Sequence, residues 1–105
     1  MGKLDDKIAI VTGGGSGIGQ SIALGLAREG CDVALCGRRL EPLQETVRQI
    51  EALGRRALAL SVDVSRGEAV QGFVDEVVKV FGRVDILVNN AGVTRDGLLL
   101  RMSEE

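Results

Sequence analysis

The sequence predicts an α/β fold: a parallel sheet with helices on both faces. Three observations carry this. Four short apolar runs alternate with three segments of helical periodicity, in the order β-α-β-α-β-α-β. The first run leads directly into "VTGGGSGIGQ" (11–20), with five glycines in ten residues. Apolar residues make up 45% of the 105, enough to bury a core in a single domain.

Each element has its own signal. "KIAIV" (7–11) is a continuous apolar run that stops at glycine, as a buried strand does. From Gly17 to Arg28, Ile18, Ile22 and Leu26 recur every four positions, which predicts a helix with that stripe inward. Gly30 is placed to end it. "DVALC" (32–36) is the second strand. "LEPLQETVRQIEAL" (40–53) is the second helix, with Leu43, Val47 and Ile50 on one face, Pro42 near its start and Gly54 just past its end. "ALALSVDV" (57–64) is the third strand. Ser65 and Glu68 then have the spacing of a capping box. Val70, Phe73, Val74, Val77 and Phe81 form the buried stripe of the third helix, and Gly82 stops it. "VDILVNN" (84–90) is the fourth strand. The tail "AGVTRDGLLLRMSEE" has turn chemistry, three leucines and the opening of a further helix.

Composition excludes several functions. Net charge is −2, with two Phe and no Trp or Tyr, so there is no basic or stacking surface for nucleic acid. No run approaches the ~20 apolar residues of a membrane span, and the N-terminus lacks the shape of a signal peptide. Histidine is absent, which removes the commonest general base and the commonest metal ligand; no metal site is expected. Cys31 and Cys36 fall on opposite faces of one extended run, roughly 16 Å apart, too far to bridge. They read as reduced core residues of a cytoplasmic protein.

The glycine loop admits three readings. It could be a strand-to-helix turn that needs glycine only for its backbone angles. It could be a triphosphate loop, since Gly14 and Gly19 have the spacing and Ser21 the hydroxyl, but Gln20 stands where that motif needs lysine. Or it could cradle a dinucleotide pyrophosphate at a helix N-terminus. The pattern Thr12-Gly13-x-x-x-Gly17-Ile18-Gly19, with "SVDVS" (61–65), "VDILVNNAG" (84–92) and "VTRDGLLLRM" (93–102), resembles the short-chain dehydrogenase/reductase family along the whole chain. Within it, the last stretch leans toward the bacterial 3-oxoacyl-[acyl-carrier-protein] reductases.

The resemblance implies half of a Rossmann fold with strand order 3-2-1-4, a dinucleotide-binding half-domain over 1–92, and a tail over 93–105 leading into a fourth helix. It implies that Thr12, Gly13, Ser16, Gly17, Ile18 and Gly19 wrap the pyrophosphate. Asp63 and Val64 would border the adenine, with Asp63 accepting from its amino group; Asn90, Ala91 and Gly92 would line the ribose side. Asp63 also reads as a simple turn residue, and Asn90 as a side chain steadying the central strands.

The end of the second strand selects the cofactor. An acid there holds the 2′-hydroxyl of NAD; a base accommodates the 2′-phosphate of NADP. The strand ends Cys36-Gly37-Arg38-Arg39, so NADP(H) is expected over NAD, with Arg38 the main contact and Arg39 its helper. Two solvated arginines are the alternative. Arg55-Arg56, at the far end of the sheet, reads as surface.

The resemblance also implies a tyrosine proton donor, an activating lysine, a serine and a helix asparagine, and no catalytic residue of that set is expected here, there being no Tyr at all. The chain therefore reads as the N-terminal half of a reductase of 3-oxoacyl thioesters, binding the adenosine-pyrophosphate part of its cofactor without turnover of its own. A self-associating structural unit with weak nucleotide binding is the other class. In both, a homodimer is expected, through the strand at 84–88, which is apolar and free of proline and lysine, or through helix faces on the apolar surface beside it.

Overall fold

In a computed structural model, residues 4–13, 15, 17–63 and 65–90 are described. The elements are β1 (Ile8–Thr12), α1 (Gly17–Arg28), β2 (Asp32–Gly37), α2 (Leu40–Ala52), β3 (Ala57–Ser61), α3 (Gly67–Phe81) and β4 (Ile86–Asn89). The strands form one sheet in the order β3-β2-β1-β4, all neighbours parallel, as expected. Ile10 sits opposite Ala34 on one side and Leu87 on the other. The tail over 93–105, and with it the division from 1–92, lies outside the described residues.

Alternation along the strands divides the core into two layers. Ile8, Ile10, Ala34 and Cys36 face α3, packing with Phe73, Val74 and Val77. Ala9, Val11, Val33 and Leu35 face α1 and α2, packing with Ala23, Ala27, Leu43 and Ile50. Helices thus cover both faces. β1 and β2 are buried almost throughout because they are central; β3 and β4 are half-buried because each has one strand neighbour among the described residues. Cys31 and Cys36 are buried and unpaired, one in each layer. Burial pushes the Cys36 thiol up to about 12, which leaves it inert.

Three local expectations are corrected. In α1 the buried line is Gly19, Ala23 and Ala27, one position on from the anticipated stripe; Ile22 and Leu26 pack at its margin and Ile18 is 69% exposed. Small residues face the sheet because the helix lies close to it. The capping box does not form. Ser65 donates its hydroxyl to the Asp63 carboxylate (2.6 Å), and Arg66, one residue further on, takes the N-cap position of α3, which starts at Gly67 with no side-chain cap. Finally, β3 ends at Ser61 instead of Val64. Val62 still donates to the Gly37 carbonyl (2.8 Å), and the chain then turns at Asp63.

The helix ends behave as read. Past α2, Gly54 has φ +86° and donates to the Glu51 carbonyl, while the Arg55 amide reaches back to Ile50 (3.3 Å). Gly30 closes α1 the same way, with the Cys31 amide on the Leu26 carbonyl (3.1 Å).

The arginine pair at the far end of the sheet is not free surface, contrary to the sequence reading. Asp32 opens β2 with its carboxylate 5% exposed. It accepts from the Arg56 amide (2.9 Å), from Arg56 Nη2 (2.8 Å) and from Arg55 Nε (3.2 Å). Arg56 also lies over the Phe81 ring, 4.8 Å from its centroid. One buried carboxylate therefore ties the start of β2 to the segment before β3 and to the end of α3. Asp85 does similar work between β1 and β4, accepting from the Ile8 amide and from Arg83 Nε, each at 2.8 Å.

Candidate functional site

The order β3-β2-β1-β4 reverses the direction of winding between β1 and β4. In a parallel sheet a crevice opens beyond the strand ends at such a point. The described chain has a cleft of about 570 Å³ there. Five of the anticipated residues line it: Gly13, Arg38, Arg39, Asp63 and Asn90. They come from the loops after β1, β2 and β3 and from the end of β4.

The glycine loop is built by close approach. Gly13 has φ +71° and donates to the Cys36 carbonyl at 2.7 Å, so the chain crosses toward β2 as it leaves β1. Gly19 lies under this crossing. A Cβ on it would come within 2.0 Å of the Gly13 carbonyl oxygen and 2.8 Å of Asn90 Nδ2. Gly15 rests on the start of α2, where a Cβ would meet Pro42 Cβ at 2.7 Å. The N-terminus of α1 is thereby brought to the C-terminal end of β1, which sets helix amides where an anion can bind. Gly17 and Ile18 form the exposed first turn.

Thr12 is 5% exposed and braces the junction. Its hydroxyl donates to Asn89 Oδ1 (3.0 Å) and accepts from the Asn90 amide (2.9 Å). Asn90 in turn directs Nδ2 to the Gly13 carbonyl at 3.4 Å. The strand-steadying reading of Asn90 is thus realised, while its side chain also borders the cleft.

The mouth carries the charges. Arg38 is exposed, with Nη2 3.9 Å from Asp63 Oδ1. Its backbone carbonyl accepts from Ser61 Oγ at 2.9 Å, tying β2's end to β3's. The turn reading of Asp63 holds too: Oδ1 accepts from the Ser65 hydroxyl (2.6 Å) and the Ser65 amide (3.0 Å). These two bonds, hydroxyl first, hold the Asp63 carboxyl below its ordinary range, with lesser help from Arg38 and Arg66 against some desolvation.

Ser16, Val64, Ala91 and Gly92 lie outside the described residues. The sequence reading missed Pro42, Leu43 and Ser65, which also line the cleft. Pro42 and Leu43 had been assigned to helix start and core, and Ser65 to a cap; no local pattern marks a helix's first turn as a cleft wall. Among the described residues no cluster of His, Cys, Asp and Glu could hold a metal ion. Among them, too, no helix is long and apolar enough to cross a membrane.

Known proteins share this arrangement. The family model for short chain dehydrogenase matches residues 7–105. A 3-oxoacyl-[acyl-carrier-protein] reductase of Staphylococcus epidermidis is 46% identical over 102 residues, 95% of this chain and 41% of that protein. The chain thus spans about two-fifths of that relative's length. Among solved structures, L-sorbose reductase from Gluconobacter frateurii, complexed with NADPH and L-sorbose, superimposes with a TM-score of 0.81 at 45% identity, over 89% of this chain and 35% of that one. NAD+-bound xylitol dehydrogenase gives a TM-score of 0.83 at 42% identity, over 87% and 35%. With the family model covering nearly every residue and the sheet wound in the same order, the chain belongs to the short-chain dehydrogenase family.

Proposed function

We propose that the chain binds a nicotinamide dinucleotide by its adenosine-pyrophosphate half and prefers NADP(H) to NAD. One observation carries the preference: the cleft mouth beyond β2 presents Arg38 and Arg39, and β2 ends in Gly37, with no carboxylate at that position. A guanidinium binds a 2′-phosphate in forked geometry; a carboxylate there would repel it. Gly13, Ser16, Gly17, Ile18 and Gly19 hold the pyrophosphate in this reading, with Thr12 bracing them. Asp63 and Val64 border the adenine, and Asn90, Ala91 and Gly92 the ribose. The bound cofactor would supply a hydride.

Wild type is expected to bind NADPH about tenfold or more tightly than NADH, since a hydrogen bond to a charged group contributes roughly 1.5–3 kcal/mol. Arg38→Asp is expected to invert that order. Titration of both proteins with both cofactors checks it, and an equal preference for NADH in both would refute the assignment.

For the whole enzyme we propose reduction of a 3-oxoacyl thioester, on the 46% identity to a reductase of that substrate. The 105 residues hold no Tyr, and the reading proposed for them is confined to cofactor binding. The unpaired, buried Cys31 and Cys36 favour a reducing compartment, the cytoplasm.

A second reading concerns assembly. β4 pairs with β1 alone among the described residues, and its apolar Ile86, Leu87 and Val88 are half-buried. Such an edge, without proline or lysine, templates pairing, and a second copy of the same edge is the simplest closed partner. Light scattering is expected to give a dimer that Leu87→Pro dissociates. A wild-type monomer across a wide concentration range would overturn it.

A further inference from the structure

α1 and α2 pack together over one face of the sheet, and two contacts join them near their N-termini. Gly15, in the loop before α1, rests on Pro42, where an added Cβ would come within 2.7 Å of Pro42 Cβ. One turn further along α2, Gln20 Nε2 donates to Thr46 Oγ1 at 3.1 Å, and that hydroxyl donates to the Pro42 carbonyl at 3.3 Å. Gln20 stands where a triphosphate loop would need lysine; here it reaches across to α2. Thr46 is 0% exposed and sits between Leu43 and Ile50 in the buried line of that helix. A hydroxyl in such a line costs stability unless it is bonded, so packing alone would favour an apolar residue there.

The two helices carry the groups of the cleft at these same ends. α1 begins at Gly17, inside the glycine loop, and Arg38 and Arg39 run directly into α2 at Leu40. Gly13 and Gly15 line the cleft on the loop side, Pro42 and Leu43 on the α2 side. Any slip of α1 against α2 therefore changes the span from the loop to the arginines. We propose that Gln20 and Thr46 are positioning residues that fix this span, so that the loop and the arginines grip two phosphates of one ligand at once. The inference rests on the dinucleotide reading above. A site held at the right span binds both groups without first being ordered; a loose one must be ordered by the ligand.

The test uses ligands that fill one end or both: 5′-AMP, 2′-AMP and 2′,5′-ADP, titrated by NMR into the chain. Thr46→Val keeps the shape and removes the hydroxyl. It is expected to weaken 2′,5′-ADP about fivefold, the scale of one hydrogen bond, and to leave 5′-AMP and 2′-AMP within about twofold of wild type. Thr46→Ser keeps the hydroxyl and is expected to bind all three as wild type does. Gln20→Met, at a half-buried position, removes the donor from the other helix and is expected to show the same selective loss. The double variant is expected to lose no more than either single one, because both remove one bond. A merely structural role would weaken all three ligands alike, which would overturn the proposal, as would additive losses in the double variant. If wild type fails to bind 2′,5′-ADP more tightly than 5′-AMP, the NADP reading fails and takes this inference with it. If wild type does so and both single variants match it, only this inference falls.

Discussion

Gly19→Ala is expected to lower stability by about 3 kcal/mol and to abolish nucleotide binding. The added Cβ would sit 2.0 Å from the Gly13 carbonyl oxygen and 2.8 Å from the Gly13 carbonyl carbon. Both are backbone atoms, so no side chain can rotate out of the way. Either α1 moves off the sheet, opening the layer that holds Ala23 and Ala27, or the Gly13 peptide moves and breaks its bond to Cys36. Each outcome misplaces the loop that would hold a pyrophosphate. Gly25→Ala is the control. It lies in the same helix with nothing within 4 Å of a new Cβ. There alanine is expected to raise stability by up to about 1 kcal/mol through helix propensity. Urea denaturation of the two variants separates them; equal stabilities would show that the close approach is absent.

Asp32→Asn is expected to cost about 3 kcal/mol near neutral pH, as breaking a buried ion pair does. The effect has a pH signature. Burial pushes the Asp32 carboxyl up, but the Arg56 amide and side-chain bonds, then the Arg55 and Arg56 charges, outweigh it and hold it below its ordinary value of 3.8. A carboxyl whose folded pKa is depressed stabilises the fold above its unfolded pKa and loses that contribution as pH falls through the folded one. Wild type is therefore expected to lose stability steadily below about pH 5, and Asp32→Asn to show a shallower acid limb. Asp85, also held down against burial by the Ile8 amide and Arg83, keeps part of that limb in the variant. Identical acid slopes in the two proteins would remove Asp32 from the account.

Much of the site was legible because its signals are local. The glycines after β1 announced a close backbone approach, and Gly37-Arg38-Arg39 marked the strand end that lines the cleft. Ser65 was misread although its neighbours were in plain view. Ser-x-x-Glu spacing is a local cue for a cap, but the helix starts one residue later than that cue places it, behind Arg66, and the Ser65 hydroxyl donates to Asp63 two residues upstream. Ile18 was misread for a different reason. Four-residue periodicity finds a helix face, yet it does not say that small Gly19, Ala23 and Ala27 would be chosen for the sheet over large Ile18.

The amino-acid sequence by itself determined the alternation of strands and helices, the glycine ends of all three helices, the polarity of both sheet faces and the separation of Cys31 from Cys36. These follow from periods of two and 3.6 residues and from glycine's backbone freedom, which act within a turn or two. Tertiary structure alone decided which partners the polar groups took. Asp32 and Arg56 are 24 positions apart and Thr12 and Asn90 are 78 apart, yet each pair shares a hydrogen bond. Such pairs meet only after the strands are in register, because a hydrogen bond needs its atoms within about 3 Å and sequence spacing carries no such distance across a fold.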